Sequence, residues 1–173
     1  MSDTSTSDQP QLPRVGEPAP EISLPDDTGR LRRLSDERGK WLVLYFYPKD
    51  DTPGCTVEAC EFRDADPQIR ERGAEVWGVS ILDSGSKQAF KQKFGLSFSL
   101  LADEEHAAAE AYGTWVEKQN YGRTYWGVQR STFLVDPEGR IARVWARVKP
   151  EGHAAEVLLA LAEEQAQRGG YDD

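Results

Sequence analysis

The chain has 173 residues, of which 30 are acidic and 21 are basic, and its formal net charge is −9. This length fits one domain of ordinary size, and the excess of acid argues against a nucleic-acid surface, because such a surface needs clustered positive charge. The longest apolar or aromatic run covers only residues 41–47, whereas a membrane helix needs roughly 20 residues, so we expect no membrane span.

The two ends of the chain differ in composition from the rest. Residues 1–13 are polar and lack the basic and apolar regions of a secretion signal, so we expect a disordered leader, one domain over 14–168 and a flexible tail over 169–173. The lack of a signal predicts a cytoplasmic protein. In that compartment the two cysteines of the chain are not expected to form a permanent disulfide.

The first predicted elements are a small hairpin and a buried strand. Residues 22–24 and 30–34 lie on either side of a Pro-Asp-Asp-Thr-Gly turn, which predicts an N-terminal hairpin. Residues 41–47 are continuously apolar and β-prone, as expected of a central strand that is covered on both faces, and Pro48 ends this strand.

A helix is predicted to follow this strand. Thr52 followed by Pro53 is typical of an N-cap and a first helical position. Pro67 lacks the N–H group that a helix interior requires, so we expect this helix to be short and to end or kink near Asp66, with Gly73 closing the segment.

The remaining predicted elements continue an alternation of strands and helices. In chain order they are a strand over 76–81, a helix over 86–94, a strand over 98–101, a helix that Asp103 caps and that runs to Tyr112, a hairpin of 132–135 and 140–148, and a closing helix over 152–168. Residues 114–129 have no clean period, so they predict a long connection of the kind that often carries function. The alternation predicts an α/β, thioredoxin-like fold with a mixed central sheet and helices on both faces.

Cys55 falls in the first turn of the predicted helix after Pro53. Unpaired backbone N–H groups and the positive end of the helix dipole favour the thiolate over the thiol at that position. The position therefore predicts a nucleophile. Fast chemistry also needs donors aimed at the charge that develops on a leaving group, and the candidates are the Thr52 hydroxyl, the amides after Pro53 and a distant arginine.

Cys60 follows Cys55 by five residues on the same predicted helix. In ideal helical geometry this spacing separates the two Cα atoms by roughly 8.7 Å, beyond the limit of about 7 Å for a disulfide. The two cysteines cannot join while the helix is intact. A short helix has little stability of its own, so the sequence permits local unwinding that would bring them together.

Two other interpretations of the cysteines remain open on spacing alone. Both could be buried small apolar residues with no chemical role. The spacing also lies inside the range of zinc ligands, but the only histidines, His106 and His153, are 47 positions apart and there is no second cysteine pair, which argues against a metal site.

Several other polar and aromatic side chains have simple structural interpretations. Glu58 is expected to be a solvated helical acid, although it lies one turn beyond Cys55 and could orient an arginine there. Three lysines predict a solvated helix face, namely Lys87, Lys91 and Lys93. Three aromatic residues of the long connection are expected to pack against the core, or else to form an apolar collar over the site, namely Tyr121, Tyr125 and Trp126.

Three segments resemble one family. The segment from Pro48 to Cys55, with the sequence PKDDTPGC, resembles the peroxidatic P-x-x-x-T-x-x-C motif of peroxiredoxins. Cys60, five positions further on, resembles the second cysteine of the bacterioferritin comigratory protein, or peroxiredoxin Q, subfamily. The segment RSTFLVD, which starts at Arg130, resembles the family segment that carries the active-site arginine. The likeness extends from about residue 15 to about residue 162.

This resemblance implies a thioredoxin-fold peroxidase of the atypical two-cysteine type, which reduces hydrogen peroxide and organic hydroperoxides without a metal or organic cofactor. Cys55 would be the peroxidatic cysteine and Cys60 the resolving cysteine, joined to it in an intramolecular disulfide. Thr52 would be the hydroxyl partner of Cys55, Arg130 the guanidinium that stabilises thiolate and peroxide, and Pro48 a residue that shields the thiolate.

The implied partners are the hydroperoxide substrate and a thioredoxin-like or glutaredoxin-like reductant, and the expected state is a monomer that binds neither nucleic acid nor membrane. Two alternatives stay open. A general thiol-disulfide oxidoreductase would normally place C-x-x-C at the helix start, whereas the cysteines here are five apart. A non-enzymatic redox sensor would react slowly with peroxide and would not recycle.

Overall fold

A computed structural model describes residues 11–168, so the predicted tail and most of the predicted leader lie outside the described residues. The described part holds strands and helices in this chain order: β1 (Ser23–Pro25), β2 (Leu31–Arg33), β3 (Trp41–Phe46), α1 (Pro53–Glu71), β4 (Ala74–Ser80), α2 (Ser84–Phe94), β5 (Ser99–Ala102), α3 (Ala107–Ala111), β6 (Trp115–Asn120), β7 (Arg123–Val128), β8 (Ser131–Val135), β9 (Ile141–Trp145) and α4 (His153–Arg168).

The central sheet has five strands in the order β5-β4-β3-β8-β9. Strands β3, β4 and β5 are parallel, whereas β8 runs antiparallel to β3 and β9 antiparallel to β8. The predicted mixed sheet is therefore confirmed. The N-terminal hairpin is confirmed as well, because β1 and β2 pair antiparallel across the predicted turn.

Strand β3 is buried along its whole length because both of its faces are covered. Its odd-numbered residues face one apolar cluster, to which α1, α2 and α4 contribute Phe62, Phe90 and Val157. Its even-numbered residues face a second cluster, to which α3 contributes Ala108 and Ala109. Helices thus cover both faces of the sheet, as predicted, and the N-terminal end of α1 lies just after the carboxyl end of β3.

Helix α1 is longer than predicted. It continues through Pro67 and reaches Glu71, so the expectation of an end near Asp66 is wrong. Phe62 and Ile69, on either side of the proline, are fully buried, and their packing holds the two halves of the helix in place while the proline ring faces solvent. A proline removes one N–H donor, and tertiary packing outweighs that loss here.

Residues 114–129 form a hairpin, so the prediction of a long connection is wrong. Strands β6 and β7 pair over six residues each, up to Asn120 opposite Arg123. The two turn residues, Tyr121 and Gly122, have φ angles of 53° and 78°, as a type I′ turn requires, and this turn matches the twist of the strands. The turn was not predicted, because a bulky tyrosine occupies its first left-handed position.

The lysines of α2 do not form the solvated face that the sequence predicted. Lys87 is fully buried. Lys91 pairs with Asp27 at 3.1 Å, and only Lys93, which pairs with Asp51 at 2.8 Å, has a mostly exposed side chain. The prediction is therefore wrong for Lys87, because a neighbouring loop covers it.

Helix α3 is shorter than predicted and begins after His106, which has a left-handed backbone. The predicted cap is nonetheless present in another form. The carboxylate of Asp103 accepts hydrogen bonds from the backbone N–H groups of Ala108 and Ala109 at 3.0 Å and 2.9 Å. None of the helices within residues 11–168 is both long enough and apolar enough to cross a membrane.

Candidate active site

Cys55 lies in the first turn of α1 and its side chain is buried. Thr52 occupies the N-cap position, with an extended backbone, and its carbonyl accepts the Thr56 N–H at 2.8 Å. The first turn of a helix has backbone N–H groups without partners inside the helix. Local dipoles there favour a negative charge.

The Thr52 hydroxyl takes a different partner from the one that the sequence predicted. Its Oγ1 donates to the carbonyl of Lys49 at 3.1 Å. It makes no hydrogen bond to the helix amides, and the described contacts include none between it and Cys55 Sγ. The proposed partnership of this hydroxyl with the sulfur stays a prediction.

Arg130 approaches Cys55 from the other side of the site. It lies directly before β8, and its Nη2 donates to Cys55 Sγ at 3.3 Å. Gly54 leaves room for this approach, because a Cβ atom there would lie only 3.2 Å from Arg130 Nη2. The backbone of Arg130 is fixed as well, since its carbonyl accepts the Val148 N–H at 2.9 Å.

Glu58 holds the other side of the guanidinium. Its Oε1 accepts from Arg130 Nη1 at 2.6 Å, and its side chain is fully buried, so the expectation of a solvated acid is wrong. Its Oε2 has no hydrogen-bond partner among the described residues. Burial raises the pKa of Glu58 to about 7, against the opposing effect of the Arg130 charge. The one feature of the sequence that indicated a contact between Glu58 and an arginine was the position of Glu58 one turn beyond Cys55.

Arg130 and Lys118 are the two basic side chains whose pKa values respond to Cys55. Burial opposes the charge on Arg130, but Glu58 and Cys55 raise its pKa above the usual value. Lys118 of β6 donates to the Val128 carbonyl at 2.6 Å. Burial and the positive charge of Arg130 lower the pKa of Lys118, whereas Cys55 opposes that effect. Lys118 was not among the predicted site residues, because the hairpin that carries it was not predicted.

The AhpC/TSA family matches residues 15–144. The chain belongs to this family. It is 49% identical over 147 residues to a putative peroxiredoxin bcp of Coxiella burnetii, covering 85% of this chain and 97% of that protein. It is 48% identical to the peroxiredoxin Bcp of Bacillus subtilis, with 85% and 94% covered.

Solved structures of similar proteins agree with this assignment. The bacterioferritin comigratory protein of Xanthomonas campestris, described for its alkyl peroxide reduction activity, superposes with a TM-score of 0.80 at 40% identity, covering 83% of this chain and 91% of that one. A mutant PrxQ of Xylella fastidiosa gives a TM-score of 0.85 at 37% identity, with 89% and 98% covered. The resemblance and the thioredoxin-like fold are confirmed, and this AhpC/TSA protein is a peroxiredoxin of the Bcp or peroxiredoxin Q group.

Cys60 of this peroxiredoxin is partly exposed and shares α1 with Cys55, and both thiols are free. Because the helix is continuous between them, the ideal helical separation of roughly 8.7 Å applies, and a disulfide requires part of α1 to unwind. Pro48 is half-buried and follows β3 after one intervening residue. Its shielding role stays a prediction.

The three aromatic residues of the β6–β7 hairpin do not pack against the core. Tyr121, Tyr125 and Trp126 are 96%, 47% and 51% exposed, so that expectation is wrong. Within residues 11–168 the His, Cys, Asp and Glu side chains form no group of three or more that could hold a metal ion.

Proposed function

We propose that Cys55 is the peroxidatic cysteine of this peroxidase and that it reduces hydrogen peroxide and organic hydroperoxides. The observation that carries the proposal is the guanidinium of Arg130 at 3.3 Å from Cys55 Sγ, at the N-terminal end of a helix. Both features stabilise a thiolate and a developing negative charge. The Xanthomonas campestris relative, described for alkyl peroxide reduction, supports the substrate class.

The first step is attack of the Cys55 thiolate on the terminal oxygen of the hydroperoxide. The S–O bond forms as the O–O bond breaks, so the sulfur loses two electrons and becomes a sulfenic acid. The other oxygen leaves as an alkoxide or hydroxide and takes a proton from solvent. Arg130, held in place by Glu58 at 2.6 Å, stabilises the charge that moves along the O–O bond.

The second step joins the two cysteines. The Cys60 thiolate attacks the Cys55 sulfur, and hydroxide leaves and is protonated to water, which gives an intramolecular disulfide. A dithiol protein of the thioredoxin-like or glutaredoxin-like class then reduces this disulfide by exchange. Because both cysteines lie on α1, the helix unwinds between the two steps.

A thioredoxin-coupled peroxide assay tests this assignment. Cys55→Ser should abolish peroxide consumption, because a neutral hydroxyl cannot replace the thiolate. Cys60→Ser is the matched control: it should consume one equivalent of peroxide and stop at a sulfenic acid that dimedone labels. Turnover by the Cys55→Ser protein would disprove the role of Cys55.

The cell compartment is part of this proposal. We place the enzyme in the cytoplasm, because two free cysteines fit a reducing compartment in which dithiol proteins recycle a disulfide. Fractionation of cells that express the full chain checks this location, and recovery of the protein outside the cytoplasm would contradict it.

A further inference from the structure

A buried ion pair lies beside the active site and has no part in the chemistry described so far. Lys87 of α2 is fully buried, and its Nζ lies 3.2 Å from Asp50 Oδ2. The same ammonium donates to Ser80 Oγ at 2.5 Å and contacts the Tyr47 hydroxyl oxygen at 3.4 Å. The positive charge is thus surrounded by oxygen atoms of three residues.

The Asp50 carboxylate, like the Lys87 ammonium, has several polar partners. It accepts a hydrogen bond from the Tyr47 hydroxyl and another from Ser86 Oγ at 2.7 Å, in addition to its contacts with Lys87. Its side chain is 2% exposed. Both of its partners outside the β3–α1 connection, Ser86 and Lys87, lie on α2, so these contacts tie the carboxylate to that helix.

Asp50 belongs to the loop that joins β3 to α1, which we call the catalytic loop (residues 47–52). The next residue, Asp51, has a φ angle of 60°, a left-handed conformation that is uncommon for a residue other than glycine. Asp51 also pairs with Lys93 of α2. The catalytic loop is therefore attached to α2 at two consecutive residues, immediately before Thr52 and the first turn of α1.

Stability alone does not explain such a pair. Removing an ammonium and a carboxylate from water costs several kcal/mol per ion, and replacing a buried pair with neutral residues of similar size is often neutral or stabilising. A pair of this kind can instead favour one arrangement over others. The arrangement needed here is the one that brings Cys55 Sγ to the guanidinium of Arg130.

We propose that Lys87 and Asp50 are positioning residues for the peroxide step: they hold the catalytic loop so that the first turn of α1 presents Cys55 to Arg130. This inference rests on the proposed function, since it assigns the pair to the reaction at Cys55. None of the described contacts of Lys87 or Asp50 is to Cys55 Sγ, so in this proposal the pair acts through the backbone between residues 50 and 55.

The test compares two neutralised ion pairs on the same helix. The double variant Asp50→Asn with Lys87→Met removes both buried charges together, so neither is left unpaired. The matched control is Asp27→Asn with Lys91→Met, because Lys91 pairs with Asp27 at 3.1 Å and Asp27 lies in the turn between β1 and β2, outside the catalytic loop. Circular dichroism and thermal melting establish that each variant is folded.

Two rates at Cys55 separate positioning from a general structural effect. The first is oxidation by hydrogen peroxide, followed by tryptophan fluorescence, and the second is alkylation by iodoacetamide, which needs the thiolate but not alignment with Arg130. We expect the Asp50–Lys87 variant to lose at least about tenfold in the peroxide rate, equivalent to roughly 1.4 kcal/mol. Alkylation should stay within about threefold of wild type, and the control should match wild type in both rates.

Each other result overturns the positioning role. If the Asp50–Lys87 variant reacts with peroxide as fast as wild type, the pair has no positioning role. If its peroxide and alkylation rates fall in parallel, the variant has lost access to Cys55 or lost the thiolate, and the positioning role is again refuted. If the double variant does not fold, Ser86→Ala removes one hydrogen bond to Asp50 and should slow the peroxide step about threefold; an unchanged rate then refutes the role. A wild-type protein whose Cys55 does not react with peroxide would refute the proposed function itself.

Discussion

At the scale of single residues, the site depends on contacts between positions far apart in the sequence. Short motifs single out Cys55 and Arg130, whose side chains meet in the structure, whereas the resolving role of Cys60 stays a prediction. For Glu58 the sequence raised a contact with an arginine only as the second interpretation, since its partner Arg130 lies 72 positions away. The burial of Lys87 was not predicted either, because the pattern of polar residues on a helix does not show which loop will cover that helix.

Gly54 gives a direct test of the approach of Arg130 to the sulfur. In Gly54→Ala the new methyl group would lie 3.2 Å from Arg130 Nη2, so the guanidinium must move. We expect the peroxide oxidation rate of Cys55 to fall about tenfold or more, as it does when a transition-state donor is weakened. Stopped-flow fluorescence measures this rate.

The control for this substitution is Gly85→Ala. Gly85 is the second residue of α2, as Gly54 is the second residue of α1. A Cβ atom added at Gly85 would have only Asp83 Oδ1 within 4 Å, at 3.5 Å. This variant should oxidise at the wild-type rate. Equal rates in the Gly54 variant and wild type would show that the guanidinium contact does not control the first step.

Glu58 makes stability depend on pH in a particular direction. Burial raises its pKa in the folded protein to about 7, from 4.5, so between these values the folded state binds more protons than the unfolded state and stability falls as pH rises. The contribution is up to roughly 3 kcal/mol. This contribution of Glu58 to the free energy of unfolding is fully present below about pH 4.5 and is lost above about pH 7.

Urea unfolding at pH 5 and pH 8 measures this contribution. We expect Glu58→Gln to lose less stability than wild type between the two values, because the glutamine does not titrate. Glu104→Gln, at an exposed position, is the control and should follow wild type. An identical pH dependence in the Glu58 variant would mean that this carboxyl does not titrate in that window.

At the scale of elements, the strands and most helices follow from local patterns, and the failures at Pro67 and at the β6–β7 hairpin have separate causes. Pro67 predicted an end that the packing of Phe62 and Ile69 prevents. The β6–β7 hairpin was missed because its outer residues, including Tyr121 and Trp126, are exposed and leave no alternating apolar pattern to recognise.

Helix α1 should change with the redox state of the enzyme. If Cys60 joins Cys55, the helix must unwind around Cys60, so amides of residues 58–62 should be protected from hydrogen exchange in the reduced protein and much less protected after peroxide treatment. Amides of residues 42–46, in the buried strand β3, should stay protected in both states. Hydrogen exchange with mass spectrometry measures both segments.

Cys60→Ser is the control for the redox change in α1. Treated with one equivalent of peroxide, it should keep the protection of residues 58–62, because no disulfide pulls the helix apart. Persistent protection of these amides in the oxidised wild type, or a disulfide-linked dimer, would contradict intramolecular resolution while leaving the peroxidase assignment in place.

At the scale of the whole molecule, the alternation of strands and helices was enough to predict a mixed sheet covered on both faces. The pairing of β8 with β3 was not predictable in register, since it joins residues that lie about half the chain length apart, such as Leu42 and Val135. The same long-range pairing sets the place of Arg130, so the sequence could indicate the arginine by its motif but not its distance from the sulfur.

We propose a monomer. Val15, Leu31 and Leu159 are exposed on separate parts of the fold, whereas Tyr121, Tyr125 and Trp126 are exposed together on the β6–β7 hairpin. A stable interface buries about 1,200–2,000 Å² in total. Light scattering after gel filtration should give a mass near 19.4 kDa in the reduced and the oxidised protein. A mass twice as large in either state would contradict this expectation.

The pairing of β8 with β3 also bears on when the enzyme becomes active during its synthesis. Ser131 pairs with Phe46, so Arg130 reaches Cys55, 75 positions earlier, only after the later strand has docked. A nascent chain whose ribosome has not yet passed residue 130 carries the cysteine without its guanidinium. If Arg130 activates Cys55 as proposed, we expect the thiol of such a chain to react with peroxide more slowly than that of the folded enzyme, so that the growing polypeptide would be less open to oxidation until the sheet is complete.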